Sequence, residues 1–170
     1  VSNCTISNFN ASSTSVTLTW KASPGSSSVS YSILRSPTGG GINFVAVTAG
    51  TCQSALVNAF TCTDTSVTAG NSYYYVVIAT TAGGSSSSSA EANAVTPSTS
   101  PANLVASAID TSSINVTWNT SPGSASVLYN VYRSGAEGGP YTIVSACNNL
   151  AVNNCSEASL MPGTTYYYVV

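Results

Sequence analysis

The chain has 170 residues, 43% of them hydrophobic but only 5% charged, with three Lys or Arg, five Asp or Glu and no His. A typical soluble domain is about 25% charged, so this surface must be wetted by neutral groups, and about 50 residues are Ser or Thr. A net charge of −2 offers no basic footprint for nucleic acid or anionic lipid. The longest apolar run, residues 73–79, falls far short of the roughly 20 residues that span a bilayer. Val1-Ser2-Asn3-Cys4 shows no charged n-region or apolar h-region, so an export signal is expected to have been removed or to lie outside the chain.

In chain order, Val16, Leu18 and Trp20 alternate with Ser15, Thr17 and Thr19, the period-two mark of a half-buried strand. A Ser23-Pro24-Gly25-Ser26 turn leads to a strand over 29–34. Gly39-Gly40-Gly41 then precedes another strand over 44–48, and a strong late strand runs over 73–80. Pro97-Ser98-Thr99-Ser100-Pro101 reads as a short, semi-extended linker. The pattern then repeats. Trp20 recurs as Trp118, Tyr31 as Tyr129, Arg35 as Arg133 and the Ser-Pro-Gly-Ser turn as 121–124, all at one constant spacing. Tyr73-Tyr74-Tyr75-Val76-Val77 recurs as Tyr166-Tyr167-Tyr168-Val169-Val170 at a shorter spacing, the second copy having lost about five residues around its cysteines. Ile114, Val116 and Trp118 again alternate with polar residues, followed by strands over 127–132 and 141–145 and a turn at Gly138-Gly139-Pro140. The expectation is an all-β chain of two tandem sandwiches: domain 1–97, linker 98–100 and domain 101–170.

Cys52 and Cys62 are ten residues apart, and Cys147 and Cys155 eight, at equivalent places in the two copies. These read as one disulfide in each half, each stabilising its domain by about 2.5–3 kcal/mol in the chain-entropy model. Only an oxidising compartment keeps such bonds, which places the protein outside the cytoplasm, in the extracellular space or at the cell surface. Cys4 has no counterpart and is a candidate intermolecular thiol. With no CxxC pair and no His, a metal site is not expected, nor is any cofactor.

Leu160-Met161-Pro162-Gly163-Thr164-Thr165-Tyr166 resembles the turn into strand F of the fibronectin type III domain, in its bacterial or archaeal secreted form. Val67-Thr68-Ala69-Gly70-Asn71-Ser72-Tyr73 is the matching turn of the first copy, without the proline. Trp20 and Trp118 match the family's strand B tryptophan, and Tyr31 and Tyr129 its strand C tyrosine. Ala79, Gly83-Gly84 and Ala94-Val95-Thr96-Pro97 match the end of strand F and strand G. The resemblance implies two immunoglobulin-like sandwiches, a tyrosine corner at Tyr166 over Leu160, and a spacer, adhesive or binding role without catalytic residues. The short-range cysteine pairs depart from the general family pattern. The second copy stops four residues after its corner tyrosine, so its last strand is lacking. The chain is expected either to continue beyond residue 170 or to receive a strand, such as residues 1–9, from another subunit.

An enzyme is not expected. There is no His for general acid or base work, and the carboxylates Asp64, Glu91, Asp110, Glu137 and Glu157 are scattered without paired spacing. The only possible Ser–Lys partner is Lys21, in a turn after a strand. Asp64 and Glu157, with Arg35 and Arg133, recur at equivalent positions and are expected to cap turns or form local pairs worth about 0–1 kcal/mol. Sequons stand at Asn3, Asn10, Asn115, Asn119 and Asn154, but with so much Ser and Thr chance alone yields about five, so their number carries no signal. Ser85 to Ser89 reads as a free loop or an O-glycan site. If Tyr73, Tyr75 and Val77 face the core, alternation turns Tyr74, Val76 and Ile78 outward beside Leu34, and Tyr132, Tyr167 and Val169 outward in the second copy. That stripe is a candidate face for another chain or for glycan rings, against ordinary strand propensity. The reading is an exported, non-enzymatic structural or adhesive protein of a cell-surface or filamentous assembly. Its expected partners are copies of itself, other surface proteins or glycans, and neither nucleic acid nor a membrane. The alternative is a spacer or carbohydrate-binding region of a larger secreted glycoside hydrolase.

Overall fold

The computed structural model describes residues 5–22, 28–123 and 127–170. Cys4, Asn3 and the first Ser-Pro-Gly-Ser turn lie outside the described residues. The chain divides into two compact units that change over in sequence between Ser98 and Thr99.

In the first unit, β1 (Ile6–Ala11), β2 (Val16–Trp20), β3 (Ser30–Ser36), β4 (Val45–Ala46), β5 (Leu56–Val57), β6 (Thr61–Asp64), β7 (Ser72–Thr81), β8 (Gly84–Ser85) and β9 (Ala92–Val95) make two sheets. One has the order β1-β2-β6. The other runs β4-β3-β7-β8, with β5 also on β3 and β9 also on β7. Alternation decides what faces inward. Val16, Leu18 and Trp20 from one sheet meet Tyr31, Ile33, Tyr75 and Val77 from the other, all buried. The second unit repeats the plan with β10 (Ala102–Asp110), β11 (Ser113–Asn119), β12 (Tyr132–Ser134), β13 (Thr142–Ile143), β14 (Asn154–Glu157) and β15 (Tyr167–Val169), in sheets β10-β11-β14 and β13-β12-β15. Its core gathers Val116, Trp118, Tyr129, Val131 and Tyr168. In each core the tryptophan meets a tyrosine edge-on, Trp20 with Tyr31 at 5.6 Å and Trp118 with Tyr129 at 5.5 Å between ring centres.

Several boundaries differ from the sequence expectation. The strand expected over 127–132 is regular only from Tyr132. Before it, Tyr129 and Leu150 form an isolated bridge, and Val131 gives its N–H to the Cys147 carbonyl. The strands expected over 44–48 and 141–145 shrink to two residues each, because a 3-10 turn bearing the first cysteine of each pair follows at once: Gly50–Gln53 and Ser145–Cys147. Of residues 1–9, the segment named as an example of a strand given to another subunit, residues 6–9 are part of β1. Ile6 pairs with Trp20 and Phe9 with Leu18.

The serine run is not a free loop. Ser86 and Ser89 lie along β7, donating their backbone N–H groups to the Ala79 and Val77 carbonyls. The Ser86 hydroxyl also accepts the Ala79 N–H and the Ser89 hydroxyl the Val77 N–H. Hydroxyls thereby supplement an irregular ladder between β8 and β9. In the second unit, β15 pairs with β12 alone among the described residues, and every residue of β10 is exposed, Leu104, Val105 and Ile109 included. In the first unit Thr96 is 1% exposed, and its hydroxyl donates to the Thr68 carbonyl at 2.7 Å and accepts the Asn71 N–H. The matching turn of the second unit, with Met161, Gly163 and Thr164, instead lines a cavity of about 200 Å³.

Candidate interaction face

The disulfides Cys52–Cys62 and Cys147–Cys155 are present, with Cα–Cα separations of 5.0 and 5.8 Å. The second cysteine of each pair sits inside a strand, β6 or β14, rather than ahead of it. Each bridge therefore anchors the 3-10 turn to an edge strand of the opposite sheet.

The repeated charged residues are not surface pairs. Asp64 is fully buried. It receives an Arg35 NH1 hydrogen bond at 2.7 Å, the Tyr75 hydroxyl at 3.0 Å, and both the N–H and the hydroxyl of Ser66. Arg35 also lies over the Tyr73 ring at 5.0 Å. The second unit repeats the set with Arg133, Glu157, the Tyr168 hydroxyl and the Tyr166 ring. Burial first, and the adjacent carboxylate next, push both the Tyr75 and the Tyr168 hydroxyl far above the usual tyrosine range. The tyrosine corners form as the resemblance implied. The Tyr73 hydroxyl accepts the Thr68 N–H at 2.9 Å, and the Tyr166 hydroxyl accepts the Met161 N–H at 3.1 Å, above buried Leu160. Gly70 and Gly163 both take φ of 69°, a left-handed turn that a side chain would strain.

The other carboxylates hold loops or face water. Glu91 accepts the N–H groups of Gly40 and Gly41. Asp110 accepts the Ser112 N–H at 2.7 Å, which holds its carboxyl below the usual range. Glu137 and Lys21 are exposed. Among the described residues no three His, Cys, Asp or Glu side chains are grouped to hold a metal ion, and no helix is long and apolar enough to cross a membrane.

The outward stripe is only partly as expected. In the first unit Val76 is buried, at 5% exposure, while Leu34, Tyr74 and Ile78 are half-buried. The loop between β3 and β4 accounts for part of this cover. A Cβ on Gly39 would lie 2.9 Å from the Tyr74 ring, so the loop backbone rests on that ring, tied down by Glu91. In the second unit the equivalent row is open. Tyr132 pairs with Ile143 on one side and Val169 on the other, with Ile143 45% and Val169 37% exposed and Tyr132 and Tyr167 half-buried. Sequence reasoning missed Ile143. The signal that could have found it was the register between two strands, which a single strand's alternation does not contain.

A family profile for the fibronectin type III domain matches residues 1–95. A search of curated protein sequences found no match. Among solved structures, the chain is similar to a two fibronectin type-III domain segment from chicken tenascin, at TM-score 0.54 and 19% identity, over 96% of this chain and 85% of that one. It is also similar to the FN1–FN3 domains of chicken CNTN1, at TM-score 0.38 and 19% identity, over 98% of this chain and 60% of that one. The likeness to tenascin is one of fold.

Proposed function

Because the chain belongs to the fibronectin type III family, whose domains are typically non-catalytic structural or adhesive modules, we propose that it is a structural module of an extracellular or cell-surface assembly. The contact surface in this proposal is the outer face of the β13-β12-β15 sheet. The observation that carries the reading is the row Ile143, Tyr132 and Val169, three large side chains side by side in register across three strands of one sheet face. Burying such side chains against a partner stabilises by roughly 1.5–3 kcal/mol each when complete. The occupied charges agree with this reading: four of the five carboxylates are engaged in holding the fold, leaving little for chemistry. The two disulfides support an oxidising, extracellular location.

The test is the double variant Ile143→Lys with Val169→Lys. Both positions are exposed, so the unfolding midpoint is expected to hold while ordered polymers, or adhesion to the native surface, are lost. Assembly that persists in the double variant refutes this face. Monodisperse protein that co-sediments with insoluble polysaccharide would favour the carbohydrate-binding spacer instead.

A further inference from the structure

Four of the five sequon asparagines fall within the described residues, and the fold brings all four to one kind of surface. Asn10 is in β1, Asn115 and Asn119 in β11 and Asn154 in β14, all on the β1-β2-β6 or β10-β11-β14 sheets. Alternation turns each outward. Asn115 precedes buried Val116, Asn119 follows buried Trp118, and Asn154 precedes buried Cys155. Residues i and i+2 of a strand share a face, so Ser156 stands beside Asn154 with its hydroxyl on the surface.

Eight of the ten asparagines outside the sequons have another occupation. Asn43, Asn58, Asn103 and Asn149 take positive φ, where asparagine is favoured after glycine. Asn58 and Asn130 accept backbone N–H groups, and Asn71, Asn93 and Asn153 donate to backbone carbonyls. By contrast Asn10, Asn119 and Asn154 are exposed, have no positive φ, and among the described residues make no side-chain bond to the backbone. Asn115 differs. It is half-buried and its amide oxygen accepts the Ser156 hydroxyl at 3.1 Å, so it is set aside. The outward positions of β1, β2, β6, β11 and β14 carry no charged side chain, since Asp64 and Glu157 turn inward to their arginines and Asp110, at the end of β10, is the one exposed charge on these sheets. Hydration there must come from neutral groups.

We propose that Asn10, Asn119 and Asn154 are acceptors for N-linked saccharide, transferred from a lipid pyrophosphate donor by a membrane-bound transferase. In the transfer, the asparagine Nδ2 forms a bond to the sugar C1 and the bond from C1 to the phosphate oxygen breaks. The amide proton goes to a base of the transferase, and the lipid pyrophosphate leaves. Within the second unit the sugars at Asn119 and Asn154 would stand on the sheet opposite the Ile143 row, so the inference does not rest on the assembly reading and survives its failure.

The experiment is glycopeptide mapping, with electron-based fragmentation, of the protein purified from its native source. Saccharide is expected on peptides at Asn10, Asn119 and Asn154, and none at Asn58, Asn71 or Asn153. Bare peptides at all three positions, or sugar confined to Ser and Thr, overturn the proposal. A second arm uses variants made in the same source. Ser156→Ala keeps Asn154 but breaks its sequon, and the intact mass should lose one glycan, whereas Ser156→Thr should keep that glycan, its mass differing from the parent by one methylene alone. Sugar retained at Asn154 in Ser156→Ala overturns the assignment.

Discussion

Replacing Asp64 by Ala removes the acceptor around which one end of the first core is organised. Four hydrogen bonds end on this carboxylate, from Arg35, from the Tyr75 hydroxyl and from the N–H and hydroxyl of Ser66. The Arg35 side chain is only 20% exposed and the carboxylate side is wholly buried, so water cannot replace the lost partner freely. An exposed pair would cost about 0–1 kcal/mol to break, whereas stranding one member of a buried pair costs about 3–5 kcal/mol. Tyr75 is fully buried, and its orphaned hydroxyl belongs within that figure rather than on top of it. For a domain of this size each kcal/mol lowers the melting temperature by roughly 4–8 °C, so the first unit should lose roughly 12–40 °C. The assay is urea and thermal unfolding of the full chain in a Trp118→Phe background, so that Trp20 reports on the first unit alone. The double variant Asp64→Leu with Arg35→Met should recover much of the loss, because it strands no charge. A loss below about 1 kcal/mol for Asp64→Ala, or a double variant no better than the single, would refute the reasoning.

Unfolding of the Cys52→Ala with Cys62→Ala variant should show a first unit weakened by about 2.5–3 kcal/mol, and unreduced peptide maps of the parent should contain the Cys52–Cys62 and Cys147–Cys155 links and no Cys52–Cys147 link. Stability should fall as pH rises above about 10. There the unfolded chain's tyrosines give up protons that Tyr75 and Tyr168, raised by burial and by Asp64 and Glu157, still hold in the fold. Titrating the urea midpoint from pH 8 upward checks this, and the Tyr75→Phe with Tyr168→Phe variant should flatten the decline. Ser89→Ala should cost about 1–3 kcal/mol by leaving the Val77 N–H without its hydroxyl acceptor, and hydrogen exchange at Val77 should quicken; an unchanged exchange rate would mean the irregular ladder needs no hydroxyl.

The fold was legible because its signals are local. Val16, Leu18 and Trp20 alternate, the copy at Ile114, Val116 and Trp118 does the same, and both triplets line the core or pack on it. The cysteine pairs were legible for a similar reason, being close in sequence and repeated. What escaped depends on contacts between distant strands. Arg35 and Asp64 recur with Arg133 and Glu157, yet nothing in their spacing says that alternation drives both partners of the first pair inward. Val76 looked outward by parity, and it does stand on that face. Its burial, at 5% exposure, is not contained in strand alternation. The serine run looked free because serine is common in loops, while its role as a hydroxyl ladder is set by where β7 leaves donors at Val77 and Ala79.

The charges of this protein are few, and half of them are drawn inward. Arg35 and Arg133 are held, partly buried, in clusters with a carboxylate and a tyrosine, and only Lys21, Glu91, Asp110 and Glu137 stand exposed among the described residues. Little ionic character is left outside for a salt solution to screen, and few groups at the surface change charge between weak acid and weak alkali. Solubility and contact strength should therefore vary little between fresh water and brine. Whatever the chain meets, it meets through shape, hydroxyls and apolar area, which suits a part that must behave alike in surroundings it cannot regulate.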